Sequence, residues 1–456
     1  MLNNNIMGIF PPFWSIDAPH FIIPHFQGIM RTLGMDVKII DLNIQAAIAL
    51  KKNWSVYSNG IWNGVWNNQQ MIVDCIEKSG IADRLANEIE IQHPAWIVFL
   101  SVNIGSYLVV RYLIKDIRDR FSRMKIHIAV GGPLCVGKKD SSNIFPDADL
   151  VWNGTLESAI HILMQQYKNE LTQDYSAYRF FPDFTGIDIT KYSKPEELTY
   201  VLNYGCRFNC KFCHEGGQYS QEVMRSTLGL SNHLRNLLTA LPTVKYIRFY
   251  DSSLNSDFNH FRNFLDELDE KDILWICYLA PMPYINRSIC LRMQSSGCIG
   301  VNIGVESGSN AVRKLMGKPN KLNVVESCIR ELHGAVLDIH INLMVGYPGE
   351  TEHDFNETLL FTTRIAECVS GVNINMVGIF TETELFADAR KLGINLNGDI
   401  QNEFLFRHWA LADGSNTPII RNERFLRIKA HIESLGFKNV HLPDAAEPAH
   451  RALLTR

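Results

Sequence analysis

No stretch of this sequence is both long and apolar enough to cross a bilayer. Its most apolar window, "AWIVFLSVNIGSYLVV", is interrupted by Ser, Asn and Gly. The N-terminus, "MLNNNIMGIFPPFW", lacks the basic flank and small-residue cleavage site of a secretory signal. Neither sign of charge dominates: 44 basic and 48 acidic residues leave a net charge of −4, with no long run of either. That balance gives no reason to expect nucleic acid or an anionic membrane as partner. Internal repeats and low-complexity tracts are missing as well. These absences predict a cytoplasmic globular protein. Thiols stay reduced in that compartment, so the ten cysteines are read as ligands or buried core and not as disulfides.

What is present suits several domains. The chain has 456 residues, 46% of them hydrophobic, ample for more than one core. Over residues 1–170 short apolar runs ("NIMGIF", "MDVKIIDLN", "AWIVFLSVN", "KIHIAVGG", "ADLVWNG") alternate with helical patterns, one of them over 19–33. This α/β pattern predicts a doubly wound parallel sheet. Trp54, Trp62 and Trp66 between the second and third runs are expected to pack a helical excursion onto that sheet. Residues 171–195, rich in aromatic, Pro, Gly and Asp residues, read as a linker. Residues 196–385 hold six further strand–helix units, which predicts a partial (β/α)6 barrel with its active residues at the C-terminal strand ends. Residues 386–456, with the helix "NERFLRIKAHIESLG", read as a small mixed α/β appendage.

After the first strand of the second unit comes "NYGCRFNCKFCHEGG". Cys206, Cys210 and Cys213 can fold around one small inorganic object. Zinc wants four tetrahedral ligands, His214 is poorly placed beside Cys213, and no second Cys-x2-Cys follows. A four-iron–four-sulfur cluster instead accepts three thiolates and leaves one iron open to a cofactor or substrate. The cluster is the expectation, and a non-catalytic zinc protein is the rival.

This spacing, the aromatic Phe212 before the last cysteine, and the six βα units resemble the radical S-adenosylmethionine (SAM) enzymes. The resemblance implies that SAM chelates the open iron and is cleaved by one electron to methionine and a 5′-deoxyadenosyl radical. It places Asp251 and Ser252 of "RFYDSSL" near the SAM amine, although that stretch departs from the family's usual Gly-Gly-Glu. It places Glu306 and Ser307 of "GVESGS" near the ribose and carboxylate, and "VGYPGET" beside the adenine. Ser307 or Ser309 also suits helix capping, and Arg313, Lys314 and Lys318 read as a solvated helix face. The methylthio-transferring relatives carry three N-terminal cysteines; here there are two, Cys75 and Cys135.

A doubly wound domain before such a barrel resembles the cobalamin-binding subgroup, whose N-terminal domain is flavodoxin-like. Ser101 and Asn103 of "SVN", Gly131 and Gly132 of "VGGP", and Gly154 and Glu157 of "NGTLESA" are the positions at which the resemblance puts cobalamin. The cobalt-ligating Asp-x-His-x-x-Gly motif is absent: "DAPHFIIPHFQG" offers His20 and His25 in a helical context instead. The resemblance implies a cobalamin-dependent radical SAM enzyme, with C-methylation of an unactivated carbon first among its reactions and rearrangement, cyclisation or dehydrogenation as alternatives. The implied partners are a small-molecule or peptide substrate and a one-electron donor such as flavodoxin or ferredoxin. His214, Glu215, Tyr284 and Trp409 are candidate substrate-pocket residues.

Overall fold

The computed structural model describes residues 5–35, 37–58, 68–135, 141–152, 154–157, 180–213, 215, 223–268, 272–396, 405–437 and 439–441. Trp62, Trp66 and His214 lie outside these residues. The chain divides into two compact units, 1–199 and 200–456. Among the described residues no helix is long and apolar enough to cross a membrane.

The first unit is a five-stranded sheet of β1 (Ile6–Phe10), β2 (Val37–Asp41), β3 (Trp96–Phe99), β4 (His127–Val130) and β5 (Leu150–Val151). All the pairings are parallel, in the order β2-β1-β3-β4-β5. This is the flavodoxin-like order, and its switch point falls between β1 and β3. β1 and β3 are buried along their whole length, as strands covered by helices on both faces must be. The helix Tyr107–Arg120 buries one apolar face, whereas the helix Ile22–Thr32 is buried all round from Ile23 to Met30. Trp54 is buried with its ring 5.5 Å from Phe13, so it packs as the sequence suggested.

The second unit centres on a seven-stranded parallel sheet. The sheet's strands are β6 (Glu197–Tyr200), which spans the division at 199/200, β9 (Tyr246–Phe249), β10 (Trp275–Leu279), β11 (Cys298–Glu306), β12 (Asp338–Val345), β13 (Gly371–Met376) and β18 (Asn439–His441). They lie in the order β18-β13-β12-β11-β10-β9-β6. The two-residue strands β7 (Asn203–Tyr204), β8 (Val223–Met224), β14 (Ile379–Phe380), β15 (Ile394–Asn395), β16 (Leu405–Phe406) and β17 (Ala410–Leu411) form three small antiparallel ribbons. β18 pairs with β13, Gly371 opposite Asn439, so the C-terminal segment supplies a seventh barrel strand. The helix before it, Pro418–Ser434, buries Phe425, Ile428 and Ile432. From Val301 in β11 and Ile339 in β12 onward, buried and half-buried residues alternate, as the two faces of a strand dictate.

Candidate active site

The three-cysteine loop leaves β7 through Gly205, whose φ of +79° suits glycine. Cys206, Cys210 and Cys213 are all half-exposed and unbridged, unlike Cys75, Cys135, Cys277, Cys290, Cys298 and Cys328, which are buried. The Cys213 N–H donates to the Cys210 carbonyl at 3.0 Å, closing the turn that brings these two together. The loop is held from below. Lys211 N–H donates to the Met316 carbonyl (2.9 Å), and the Leu385 N–H donates to the Lys211 carbonyl (2.8 Å). Lys211 Nζ pairs with Glu384 at 2.7 Å. Gly317, with φ +72°, lets the chain pass under the loop; a Cβ there would lie 3.0 Å from the Asn209 carbonyl. Arg207 pairs with Asp257 at 3.1 Å, at the cap of the helix Phe258–Glu267.

The strand ends expected around the cysteines are each built differently. At the end of β9, Asp251 is buried, and its carboxylate accepts N–H bonds from Leu202 (3.1 Å) and Asn203 (2.7 Å). Burial pushes its carboxyl up to about 6, against the pull of those backbone donors. Ser252 is exposed and donates to Glu215 at 3.0 Å. Asn255, fully buried, accepts from Ala280 N–H (2.8 Å) and donates to the Ala280 carbonyl (2.9 Å), fastening the ends of β9 and β10. Tyr284 donates its hydroxyl to the Asn255 carbonyl, so its phenol serves this junction.

Glu306 ends β11 with φ +68°, where the register against β12 shifts. Its carboxylate lies 3.2 Å from Lys318 Nζ, with both side chains only about an eighth exposed (13% and 12%). Gly304 makes the space, since a Cβ there would lie 2.7 Å from Glu306 Oε1. Lys318 Nζ also sits 5.7 Å over the Phe212 ring. Burial pushes the Cys210 thiol up, Lys318 pulls it down and Glu306 pushes it up. Two of the three cations expected to be solvated are therefore inside. Arg313 is buried, donating to Val305 and to Asn320 carbonyls (2.9 Å), and only Lys314 is exposed. The helix Asn310–Leu315 is one short turn and a half, and the turn after it, in which the Lys318 N–H donates to the Arg313 carbonyl (3.0 Å), brings Lys318 to Glu306. Gly317 right after a helix was the available sequence signal.

Ser307 is buried, accepting from Ser309 N–H (3.1 Å) and sharing a hydrogen bond with Thr358 (3.3 Å). Ser309 caps the helix Asn310–Leu315 and donates to Asp354 at 2.6 Å. The "VGYPGE" loop after β12 keeps Tyr347 buried, its ring edge-on to Phe212 with 6.4 Å between centroids. Trp409 is fully buried and donates to the Val377 carbonyl at 3.0 Å, so it is core and not pocket wall.

In the first unit, Ser101 ends β3 with φ +53° and accepts a bond from the Trp14 indole at its carbonyl (3.2 Å). Asn103 and Ser106 bond each other reciprocally through Asn103 N–H to Ser106 Oγ (2.9 Å) and Ser106 N–H to Asn103 Oδ1 (2.8 Å). The paired glycines have packing reasons. A Cβ on Gly131 would lie 1.8 Å from the Trp152 ring, and one on Gly132 2.1 Å from the Val102 nitrogen. Gly154 has φ +144°, a conformation open to glycine. Glu157 lies 3.1 Å from Nε2 of the buried His25. His20 precedes the helix and packs on Phe10, Trp14 and Phe21, with centroids 4.9, 4.4 and 4.3 Å away. Burial pushes its imidazole down to about 3.

Residues 200–362 match the family described as the radical SAM superfamily. The barrel unit contains a radical SAM domain, which implies SAM and a four-iron–four-sulfur cluster. The fold as a whole is similar to solved structures of the radical S-adenosylmethionine methyltransferase TsrM from Kitasatospora setae. One, with cobalamin and the cluster bound, gives a TM-score of 0.62 at 12% identity, over 86% of this chain and 80% of that one. Another, with tryptophan substrate and the SAM analogue aza-SAM, gives 0.67 at 12% identity, over 95% and 89%. The cobalamin-dependent S-adenosylmethionine radical enzyme OxsB, with aqua-cobalamin and SAM bound, gives 0.59 at 15% identity, over 88% and 56%. At these identities the likeness is one of fold. Among curated sequences, the ribosomal protein uS12 methylthiotransferase RimO of Nitrosomonas europaea is 25% identical over 268 residues, 54% of this chain and 57% of that protein. The tRNA-2-methylthio-N(6)-dimethylallyladenosine synthase of Natranaerobius thermophilus is 26% identical over 280 residues, 56% and 58%. This chain spans little more than half the length of these two relatives.

Proposed function

We propose that this chain is a cobalamin-dependent radical SAM enzyme that methylates an unactivated carbon of a small-molecule or peptide substrate. The observation that carries the reading is the three-thiol loop, half-exposed and braced by Gly317, Met316 and Leu385, at the mouth of a radical SAM domain. Cys206, Cys210 and Cys213 would hold the cluster, which supplies the single electron that cleaves SAM. Phe212, Glu306, Lys318 and Ser307 would line the SAM side of the site. Asp251, whose two oxygens already serve backbone amides, would position the strand end, and Ser252 would face the ligand beside Glu215.

Cobalamin, the carrier of the methyl group, is supported by the flavodoxin-like strand order, whose ligand crevice falls at the β1/β3 switch point. Ser101 and Asn103 follow β3, Gly132 follows β4 and Gly154 follows β5. Gly131, beside Gly132, also leaves room for the Trp152 ring. The cofactors carry the hard chemistry, and the chain contributes orientation and exclusion of water.

The experiment is anaerobic reconstitution with iron, sulfide and cobalamin, followed by product analysis. Methylation predicts two SAM consumed per product, with S-adenosylhomocysteine beside 5′-deoxyadenosine. The other radical reactions yield no S-adenosylhomocysteine. Methylthio transfer, the activity named in the curated relatives, finds less support. Cys75 and Cys135 are both buried, and burial pushes the Cys75 thiol up to about 12.

A further inference from the structure

The helix Pro418–Ser434 and the turn before it grip the loop that leaves β12. Arg424 Nη1 donates to Glu350 Oε2 at 3.0 Å and to the Glu350 carbonyl at 3.1 Å. The same Glu350 oxygen accepts the Gly346 N–H at 2.9 Å. Asn416 Nδ2 donates to the carbonyls of Gly346 (3.1 Å) and Tyr347 (3.2 Å). Arg421 in turn holds Asn416 Oδ1 at 3.1 Å and the Trp409 carbonyl at 2.7 Å, its guanidinium 3.8 Å over the Trp409 ring. Gly346 has φ +79°, and a Cβ on it would lie 2.2 Å from Arg421 Cγ, so the loop's backbone packs directly on the Arg421 side-chain stem.

This is more hardware than a Pro-Gly turn requires. A buried ion pair adds little net stability, because desolvation offsets its attraction. Glu350 and Arg424 are nonetheless 1% and 6% exposed at their side chains. What the grip does supply is placement. The held loop carries Tyr347, which donates to the Leu315 carbonyl at 3.3 Å and packs edge-on to Phe212, the residue before Cys213. Leu315 also meets the loop's other glycine, since a Cβ on Gly349 would lie 2.9 Å from its Cδ1.

We propose that Arg424, Asn416 and Arg421 are positioning residues for SAM: they fix the Gly346–Glu350 loop as a rigid wall for the adenosyl moiety and, through Tyr347, brace Phe212 in the cysteine loop. The inference rests on the SAM-binding reading above. It makes the C-terminal segment part of the active site's frame.

The test uses the full chain, reconstituted anaerobically with iron and sulfide. SAM affinity by equilibrium dialysis, iron content and thermal melting are measured on the same samples. Asn416→Ala and Arg424→Met are expected to weaken SAM binding by about tenfold to a hundredfold at full iron load, as small misplacements of a site do. Arg424→Lys recovers part of the loss. In SAM cleavage, KM for SAM rises while kcat at saturating SAM holds. Unchanged SAM affinity in variants that melt cooperatively and carry full iron overturns the inference. Should Arg424→Met fail to fold, Asn416→Ala, which leaves the ion pair intact, carries the same decision. A wild-type chain that binds no SAM overturns the functional reading itself, whereas wild-type binding with unaffected variants overturns this inference alone.

Discussion

The Asp251 carboxylate accepts the Asn203 N–H at 2.7 Å and, on its other oxygen, the Leu202 N–H at 3.1 Å. One buried side chain thus fixes the backbone that leads directly into Cys206. Removing it in Asp251→Ala leaves two buried donors without acceptors, at roughly 1–3 kcal/mol each. The barrel unit's melting temperature should drop by about 2–4 °C per kcal/mol lost, and iron retention should fall with it. Asp251→Asn keeps one accepting oxygen and should lose about half as much. Calorimetry and iron assay on the same preparations check both.

Asp251 also predicts a pH dependence. Burial raises its carboxyl from 3.8 to about 6 in the folded chain. Between those values the folded state holds the proton more tightly than the unfolded one, so stability contributed by this group is present below the unfolded value and is lost as pH rises through about 6. The melting-temperature difference, wild type minus Asp251→Asn, should therefore shrink as pH rises from 4 to 7. A difference that grows over that range would contradict the assignment.

Gly131 tests the first unit. A Cβ there falls 1.8 Å from the Trp152 ring, a fully packed indole. Gly131→Ala should destabilise that unit by about 1–3 kcal/mol, the cost of overpacking. Iron bound by the barrel unit should stay constant. Circular dichroism melting with iron analysis reads both.

Lys318 stands 3.2 Å from Glu306 and over Phe212. Lys318→Met leaves a nearly buried carboxylate without its cation and removes positive charge from beside Cys210. SAM affinity should fall, and the cluster's reduction potential should move negative, because the reduced state loses a stabilising charge. Lys318→Arg should restore most of both, by redox titration and equilibrium dialysis.

The backbone was legible in the sequence wherever apolar runs were strong. "NIMGIF", "AWIVFLSVN" and "CIGVNIGVES" are β1, β3 and β11, and "KLNVVESCIRELHGA" is the helix Leu322–Gly334. β18 was missed because "NVH" is three residues with no period of its own; it becomes a strand only by pairing with β13. The turn that carries the three cysteines was legible in their close spacing, as the Cys213 N–H to Cys210 carbonyl bond reflects, whereas its bracing by Met316 and Leu385 comes from distant sequence. Lys318 and Arg313 were misread as surface because a cation in a helical pattern is ordinarily solvated; Arg313 lies on the helix's buried face and spends its guanidinium on the Val305 and Asn320 carbonyls, and Lys318 follows the turn at Gly317 and reaches Glu306. Trp409 and Tyr284 were assigned to a pocket on residue type, whereas their polar tips are spent on the Val377 and Asn255 carbonyls. The grip of Arg424 on Glu350 joins residues 74 positions apart, a distance over which sequence pattern carries no signal.

The most direct measurement is iron and sulfide content with electron paramagnetic resonance of the oxygen-free chain, before and after SAM, beside a chain with Cys206, Cys210 and Cys213 all changed to alanine. The account predicts about four iron and four sulfide per chain, a reduced-cluster signal that shifts when SAM is added, and loss of all three in the triple variant. Zinc in place of iron, a signal indifferent to SAM, or a centre that survives in the triple variant would contradict it.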